Sequence, residues 1–489
     1  QNWAVSPGFD AVIGNPPYDE LSQDALGRPI EEKKFIKAQA IYEEASTYRI
    51  NLYRLFMALV YHMLKTGGAN SFIVPMSLLG DRFTYALRKM LVENADFRRV
   101  EAFPQKDDPR RRVFPEAKLP TCLYVLVKQP PTTAFVLRTH PGGTIEPDSP
   151  QFSATITDIQ RFDPENVTLP LISEGEWLLA QRLATADHLQ PLGEIATPMS
   201  GEIIFNKQTR PYLSENPQHA LVLRGGHVQR YELIDDPKQG EPVYLDSERY
   251  LADSSEDSKA YHFRQSRVIF QESAALDNWR RIIATYIPEG SFCGHKINYF
   301  VDTELNPYAL LAIFNSSVPE WRFRIVSVTN SLSAYQLNPI PVPKFDLTTP
   351  PEARAAPVAE AKRLYTAGDD DALYQFTAAQ WDAGASAVVH DVLAFLAQQM
   401  LDLNERKQAA MRAFLEWLEV FTGLPVDDWT LKTNVRTYAT VGWDEFRRAI
   451  EGTKGDIAVI NVDDEIVTIK RHYDESVGVV LPLVAQVER

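Results

Sequence analysis

The chain has 489 residues, a formal net charge of −15 and 45% hydrophobic residues, enough for about three domains with ordinary apolar cores. Its two cysteines, Cys122 and Cys293, lie far apart and outside any Cys-x-x-Cys spacing, which excludes a disulfide framework and a structural zinc site; no metal site is expected. No apolar run approaches the roughly 18 residues needed to cross a bilayer, and the N-terminus lacks a signal pattern, so the expectation is a cytoplasmic protein without a membrane partner.

The acidic balance argues mildly against nucleic-acid binding, because phosphate contacts come from Lys and Arg. The distribution matters more than the sum. Basic residues gather at Arg88, Lys89, Arg98, Arg99, Arg110, Arg111 and Arg112, and again at Arg264, Arg267, Arg280, Arg281, Arg322 and Arg324. One basic cleft on an acidic body would steer a polyanion to one face, although solvated charges on several surfaces would give the same composition.

In chain order, residues 9–13 (Phe-Asp-Ala-Val-Ile) read as a short buried strand ended by Gly14 and Pro16-Pro17. Leu52, Leu55, Phe56, Leu59, Val60, Met63 and Leu64 follow the spacing of an amphipathic helix closed by Lys65 and Gly67-Gly68. Strands are expected at 71–74, 97–103 and 122–127, with a helix at 82–93. This alternation predicts the second half of an α/β sheet, residues 1–130. The Pro-, Thr- and Ser-rich stretch 131–185 reads as a connector. Residues 186–345 carry short β-prone runs at 202–205, 220–223, 267–270 and 281–286, and read as a mixed, β-rich domain. Residues 346–489 read as helical, with helices at 352–363 and 386–420 and a terminal β-hairpin carrying Asp463, Asp464, Glu465 and Lys470.

Asn15-Pro16-Pro17-Tyr18 sits at a strand's C-terminal end, where ligands bind in open α/β sheets. The motif suits one kind of chemistry. An exocyclic adenine amine is a poor nucleophile because its lone pair is delocalised into the ring. An Asn side-chain carbonyl and the next residue's backbone carbonyl can accept both N–H protons, and a proline holds that carbonyl on a rigid turn. Tyr18 offers an aromatic face to a base that has left the duplex. A strand-ending Pro-Pro turn with a packed Tyr would have the same four residues.

The stretch Phe9 to Tyr18 resembles the catalytic motif of the gamma class of DNA adenine-N6 methyltransferases of bacterial restriction–modification and phage-defence systems. The resemblance continues through Asn51-Leu52-Tyr53, Gly67-Gly68, Phe72-Ile73-Val74-Pro75 and Val113-Phe114-Pro115. It implies a partial Rossmann-like methyltransferase sheet in which Asn15 and Pro16 bind the adenine amino group, Pro17 completes the turn, and Tyr18 and Phe114 contact the base. It also implies that Leu52 and Phe56 line the adenine pocket of S-adenosylmethionine. Core packing explains those two equally well.

Residues 186–345 resemble the target-recognition domain of the same class, notably at Arg267 to Phe270, Ile282 to Ala284, Leu310 to Asn315 and Asn338 to Pro341. The implied partner is double-stranded DNA. Arg110, Arg111, Arg112, Lys207, Arg224 and Arg280 are candidate DNA contacts by residue type and placement. The glycine-rich cofactor loop of the family has no counterpart: Gly67-Gly68, Gly142-Gly143 and Gly225-Gly226 lack a strand–loop–helix setting. With Gln1 at the start and the motif within fifteen residues, the expectation is a piece of a longer enzyme whose missing half holds most of the cofactor site. The alternatives are a DNA-recognition module that does not methylate by itself, and the methylase part of a fused restriction endonuclease.

Overall fold

The computed structural model describes residues 8–131, 134–234, 242–276, 278–453 and 462–488. The first unit is a six-stranded sheet of β1 (Phe9–Gly14), β2 (Leu64–Pro75), β3 (Asp96–Phe103), β4 (Thr121–Val127), β5 (Phe135–Thr139) and β6 (Gln151–Ala154), in the order β1-β2-β4-β3-β5-β6. β1 and β2 are parallel, as are β3 and β5, while β4 and β6 run antiparallel to their neighbours. The C-terminal ends of β1, β2, β3 and β5 therefore share one edge. The turn at 15–18, the arginine-rich loop at 104–120 and the loop at 140–150 all gather there.

Helix α1 (Leu52–Met63) forms where periodicity predicts it and buries Leu55, Ala58 and Val60 in the first core. β2 starts at once after it and is longer than the expected 71–74. Gly67 adopts φ +79°, and a Cβ on Gly68 would lie 2.7 Å from the Phe9 carbonyl oxygen. This glycine pair lies in a bulge of β2, where the stretch Leu64 to Ala69 faces only Phe9 to Ala11 of β1; it is not a phosphate loop. The expected helix at 82–93 appears as a 3-10 turn leading into α2 (Tyr85–Asn94).

The connector at 131–185 proves to be part of the first unit. β5 and β6 extend the sheet, and α3 (Ile156–Phe162) and α4 (Glu174–Ala184) bury Ile159, Phe162, Trp177 and Ala180 in the same core. Short strands of four or five residues carry too little pattern to separate from loop in a Pro- and Thr-rich stretch.

The second unit is β-rich. β7 (Thr197–Ser200), β8 (Arg267–Gln271), β9 (Ala284–Ile287) and β10 (Ile297–Val301) form an antiparallel sheet in the order β9-β8-β10-β7. A smaller sheet holds Ala220–Leu223. The expected run at 202–205 makes only an isolated bridge between Ile203 and Gly294, and of the run at 281–286 only 284–286 is strand, continued by Ile287. Helices α5 (Pro307–Phe314) and α6 (Ser317–Val326) cover the larger sheet, and the end of α6 with Val328 joins the first core.

The C-terminal region is helical: α7 (Pro351–Ala367), α8 (Asp370–Asp382), the 37-residue α9 (Ser386–Thr422), α10 (Trp443–Thr453) and α11 (Val462–Glu488). The apolar stripe expected at 386–420 is one helix, about 55 Å long. It packs Val388 and Val392 against α7 and α8, Ala397 against the second unit, and Phe414 and Leu418 against α10 and α11. The expected terminal β-hairpin is corrected: its second arm is α11, and 454–461 lie outside the described residues.

Candidate nucleic-acid-facing active site

The strand expected at 9–13 forms, but it is not buried: β1 is an edge strand whose outer side meets no strand among the described residues, and Ile13 is 86% exposed. Its inner side is held across the sheet by buried Asn70 on β2. The Asn70 amide donates to the Val12 carbonyl (3.1 Å) and accepts from the Tyr124 hydroxyl on β4 (2.5 Å). Gly14 pairs with Phe72, and the chain then turns out of the sheet.

In that turn Pro16 is buried while Asn15 and Pro17 are exposed. Among the described residues, none hydrogen-bonds to the Asn15 side chain, so its carbonyl and amide face open space. The following residues are tied back to the start of α1. Leu21 N–H donates to Ile50 O (2.6 Å), Leu52 N–H donates to Asp19 O (2.9 Å), and Glu20 bridges Asn51. The motif is therefore fixed at both ends, by β2 and by α1.

Tyr18 is half-buried and its hydroxyl donates to the Ile73 carbonyl (3.1 Å). Burial pushes that phenol up to about 12, so it stays protonated at neutral pH. Its ring meets Tyr53 edge-on (centroids 6.5 Å, 86°) and Phe114 at 6.3 Å and 64°. Tyr53 is fully buried and bonds the Ser77 hydroxyl (2.9 Å). Cys122, buried nearby, has its thiol pushed well up by burial, which leaves it chemically quiet.

Phe114 lies in a loop built by its own hydrogen bonds. The Gln105 side-chain oxygen (Oε1) accepts from Asp107 N–H (2.7 Å), and Arg112 donates to Pro115 O (2.9 Å) and Asp107 O (3.2 Å). Arg111 donates to Pro141 O (2.9 Å). Gly143 packs under the loop so closely that a Cβ there would lie 2.5 Å from the Arg112 carbonyl oxygen. That second loop is clasped by buried His140, which bonds Glu101 (2.7 Å) and Ser149 (2.9 Å) and stacks on Phe103 (4.9 Å).

The candidate residues separate clearly by exposure. Asn15 to Tyr18 and Phe114 come together at one edge. Leu52 is half-buried on the first core and Phe56, one turn on, is exposed; Gly143 packs against the Arg112 backbone, and Gly225-Gly226 form a 3-10 turn rather than a cofactor loop. Arg110 is exposed beside Asp108 (3.3 Å), Lys207 is exposed in a turn, and Arg224 is half-buried ahead of the Gly225–His227 turn.

Arg280 is corrected. It is 9% exposed and donates to the carbonyls of Ile282, Asn315 and Ser316, so its guanidinium is committed to the fold.

Four other arginines of the basic clusters are likewise interior. Arg88 donates to the carbonyls of Leu78, Asp81, Asn166 and Val167 and to the Thr84 hydroxyl. Arg267 pairs with Glu202, both side chains at 0% exposure. Arg281 binds Thr329 O (2.7 Å), and Arg322 lies 4.2 Å from the Phe162 ring centroid. Burial pushes Arg88, Arg281 and Arg322 down to about 10, still charged at neutral pH. A residue count cannot tell an arginine that caps carbonyls from one that meets phosphate. The aromatic contact of Tyr53, the Ile73 carbonyl and the Gly143 buttress had no signal in the sequence, because each is a long-range contact.

Residues 2–108 match the family described as Eco57I restriction-modification methylase, a stretch that holds Asn15 to Tyr18 and α1 and ends before Phe114. The chain is similar to the Type IIL restriction-modification enzyme MmeI in complex with DNA, at 9% identity and TM-score 0.43 over 96% of this chain and 57% of that one. It is also similar to the type IIG restriction endonuclease BpuSI, at 13% identity and TM-score 0.31 over 80% and 55%. A type I restriction-modification methyltransferase subunit from Streptococcus thermophilus shares 18% identity at TM-score 0.21 over 28% of each chain. The chain thus spans little more than half of the length of the two larger enzymes. Among the described residues no helix is long and apolar enough to cross a membrane.

Proposed function

We propose that this chain is the base-gripping and DNA-recognising part of a site-specific adenine-N6 DNA methyltransferase of a restriction–modification system. The observation that carries the reading is the open Asn15 side chain at the C-terminal end of β1, beside the Tyr18–Phe114 ring pair. The match of residues 2–108 to a restriction-modification methylase family supports it.

In this reading an adenine swings out of the duplex into the turn. The Asn15 carbonyl and the Pro16 backbone carbonyl accept the two N6–H protons, drawing the nitrogen toward tetrahedral geometry. Tyr18 and Phe114 stack on the base and offset part of the few kcal/mol that unstacking costs. S-adenosylmethionine, when bound, supplies an electrophilic methyl group; Leu52 and Phe56 would line its adenine ring. The exposed outer edge of β1, with Ile13 uncovered, suits pairing with the part of the enzyme that completes the cofactor site. The second unit would bind duplex DNA, with Lys207 among its phosphate contacts and Arg110 adding one from the first unit.

The test is Asn15→Ala in the intact enzyme. Methyl incorporation should fall at least about a hundredfold, the effect of losing one positioned acceptor, while DNA affinity holds. Unchanged turnover would remove Asn15 from the chemistry.

A further inference from the structure

The loop between β8 and β9 carries Trp279, whose side chain is 73% exposed. Single exposed apolar residues are ordinary, but the surroundings of this one are not. The loop is clamped from below: Arg324 donates to Asn278 O (2.6 Å), Arg281 donates to Thr329 O (2.7 Å), and the Arg281 and Ile282 N–H groups donate to the buried Glu320 carboxylate (2.8–3.1 Å). The indole is thus held out on a rigid support. Arg280 lies behind it, 5.9 Å from the ring centroid.

Charge gathers beneath the same loop. Arg230, Arg280, Arg281 and Arg324 act on one another, and among the described residues Glu320 is the carboxylate that offsets them. Position completes the picture. Thr329, which receives Arg281, adjoins Asn330, and the Asn330 side chain accepts from Lys106 (3.0 Å) in the loop that carries Phe114. Two hydrogen-bonded steps therefore connect the indole's support to the edge where Tyr18 and Phe114 meet.

We propose that Trp279 is a nucleic-acid stacking residue of the second unit, placed to stack on an unpaired base or an opened base step, while the arginines under it, their donors bonded within the fold, contribute only the field of their charge. This rests on the reading that the protein binds DNA. An exposed aromatic face near positive charge suits sequence-tolerant base stacking, and the hydrogen bonds at 278, 281 and 282 limit the order lost on binding.

The experiment measures anisotropy of a short fluorescein-labelled duplex of mixed sequence and of the same duplex with one unpaired position. Wild-type protein should prefer the second. Trp279→Ala should bind it roughly tenfold more weakly, keeping only the part of the preference that Tyr18 and Phe114 supply, with an unchanged slope of affinity against salt, and Trp279→Phe should keep most of both. Because the indole is exposed, Trp279→Ala should unfold at the wild-type temperature. Full affinity and preference in Trp279→Ala overturns the assignment while leaving the DNA-binding reading intact; a wild-type protein that binds neither duplex overturns both. Lost self-association with unchanged DNA binding places the indole in a protein contact instead, and also overturns it.

Discussion

Tyr18 and Phe114 touch at 64° with ring centroids 6.3 Å apart. A base stacked between two parallel rings needs about 7 Å, two carbon–carbon contacts in series. The pair therefore closes the slot and must rotate and part by about an ångström to admit a base. Their mutual edge contact stands in for the stack that a base would make.

Removing one wall tests this arrangement. Phe114→Ala should weaken the preference for a duplex with an unpaired adenine by roughly tenfold, with Phe114→Trp close to wild type. Competition binding with matched and unpaired duplexes reads it, and equal preference in all three proteins would take Phe114 out of the site.

Gly143 sets where that wall stands. Since a Cβ at 143 would lie 2.5 Å from the Arg112 carbonyl, Gly143→Ala must push the 110–115 loop and move Phe114. In the intact enzyme kcat should fall by roughly ten- to a hundredfold, the cost of an ångström-scale displacement, with KM for DNA and the thermal midpoint little changed. A variant with wild-type kcat would show that the loop absorbs the shift elsewhere.

Arginine position predicts stability. Arg88 binds four carbonyls and a hydroxyl, two of those carbonyls flanking the backbone at Val167, which is held at φ +51°, a costly conformation for a β-branched residue. Arg88→Met should destabilise folding by about 3 kcal/mol or more, because the carbonyls lose their donor in the interior. Exposed Arg110→Ala should change it by less than about 0.5 kcal/mol. Chemical denaturation of both variants checks the contrast.

Alkaline stability follows from the buried phenols. Tyr53 and Tyr18 both have pKa values raised to about 12 by burial, against an ordinary value of 10.0. Between pH 10 and 12 the unfolded chain has released protons that the folded protein retains, so stability is full below 10 and falls as pH rises. Tyr53→Phe should lose about 1 kcal/mol at neutral pH with its bond to Ser77 and show a shallower decline above pH 10. A decline as steep as wild type would exclude Tyr53 as a source.

What was legible in the amino-acid sequence is local in origin. The strand ending at Gly14, the Asn-Pro-Pro-Tyr turn, the periodicity of α1 and the long stripe of α9 each arise from neighbours within a few turns of chain, so spacing alone reports them. The resemblance of Phe9 to Tyr18 put the proposed base contacts Asn15, Pro16 and Tyr18 in one motif, and it named Phe114 about a hundred residues on.

Tertiary structure decided the rest, because it depends on which distant atoms meet. It placed Phe114 against Tyr18, put Gly143 under the loop between them, and drew the apparent connector at 131–185 into the first sheet. It also divided the arginines. Arg88, Arg267, Arg280, Arg281 and Arg322 sit among carbonyls, carboxylates or rings, while Arg110 and Lys207 face water. All carry the same charge in the sequence, but a guanidinium whose donors are already bonded inside the fold has none to offer a phosphate.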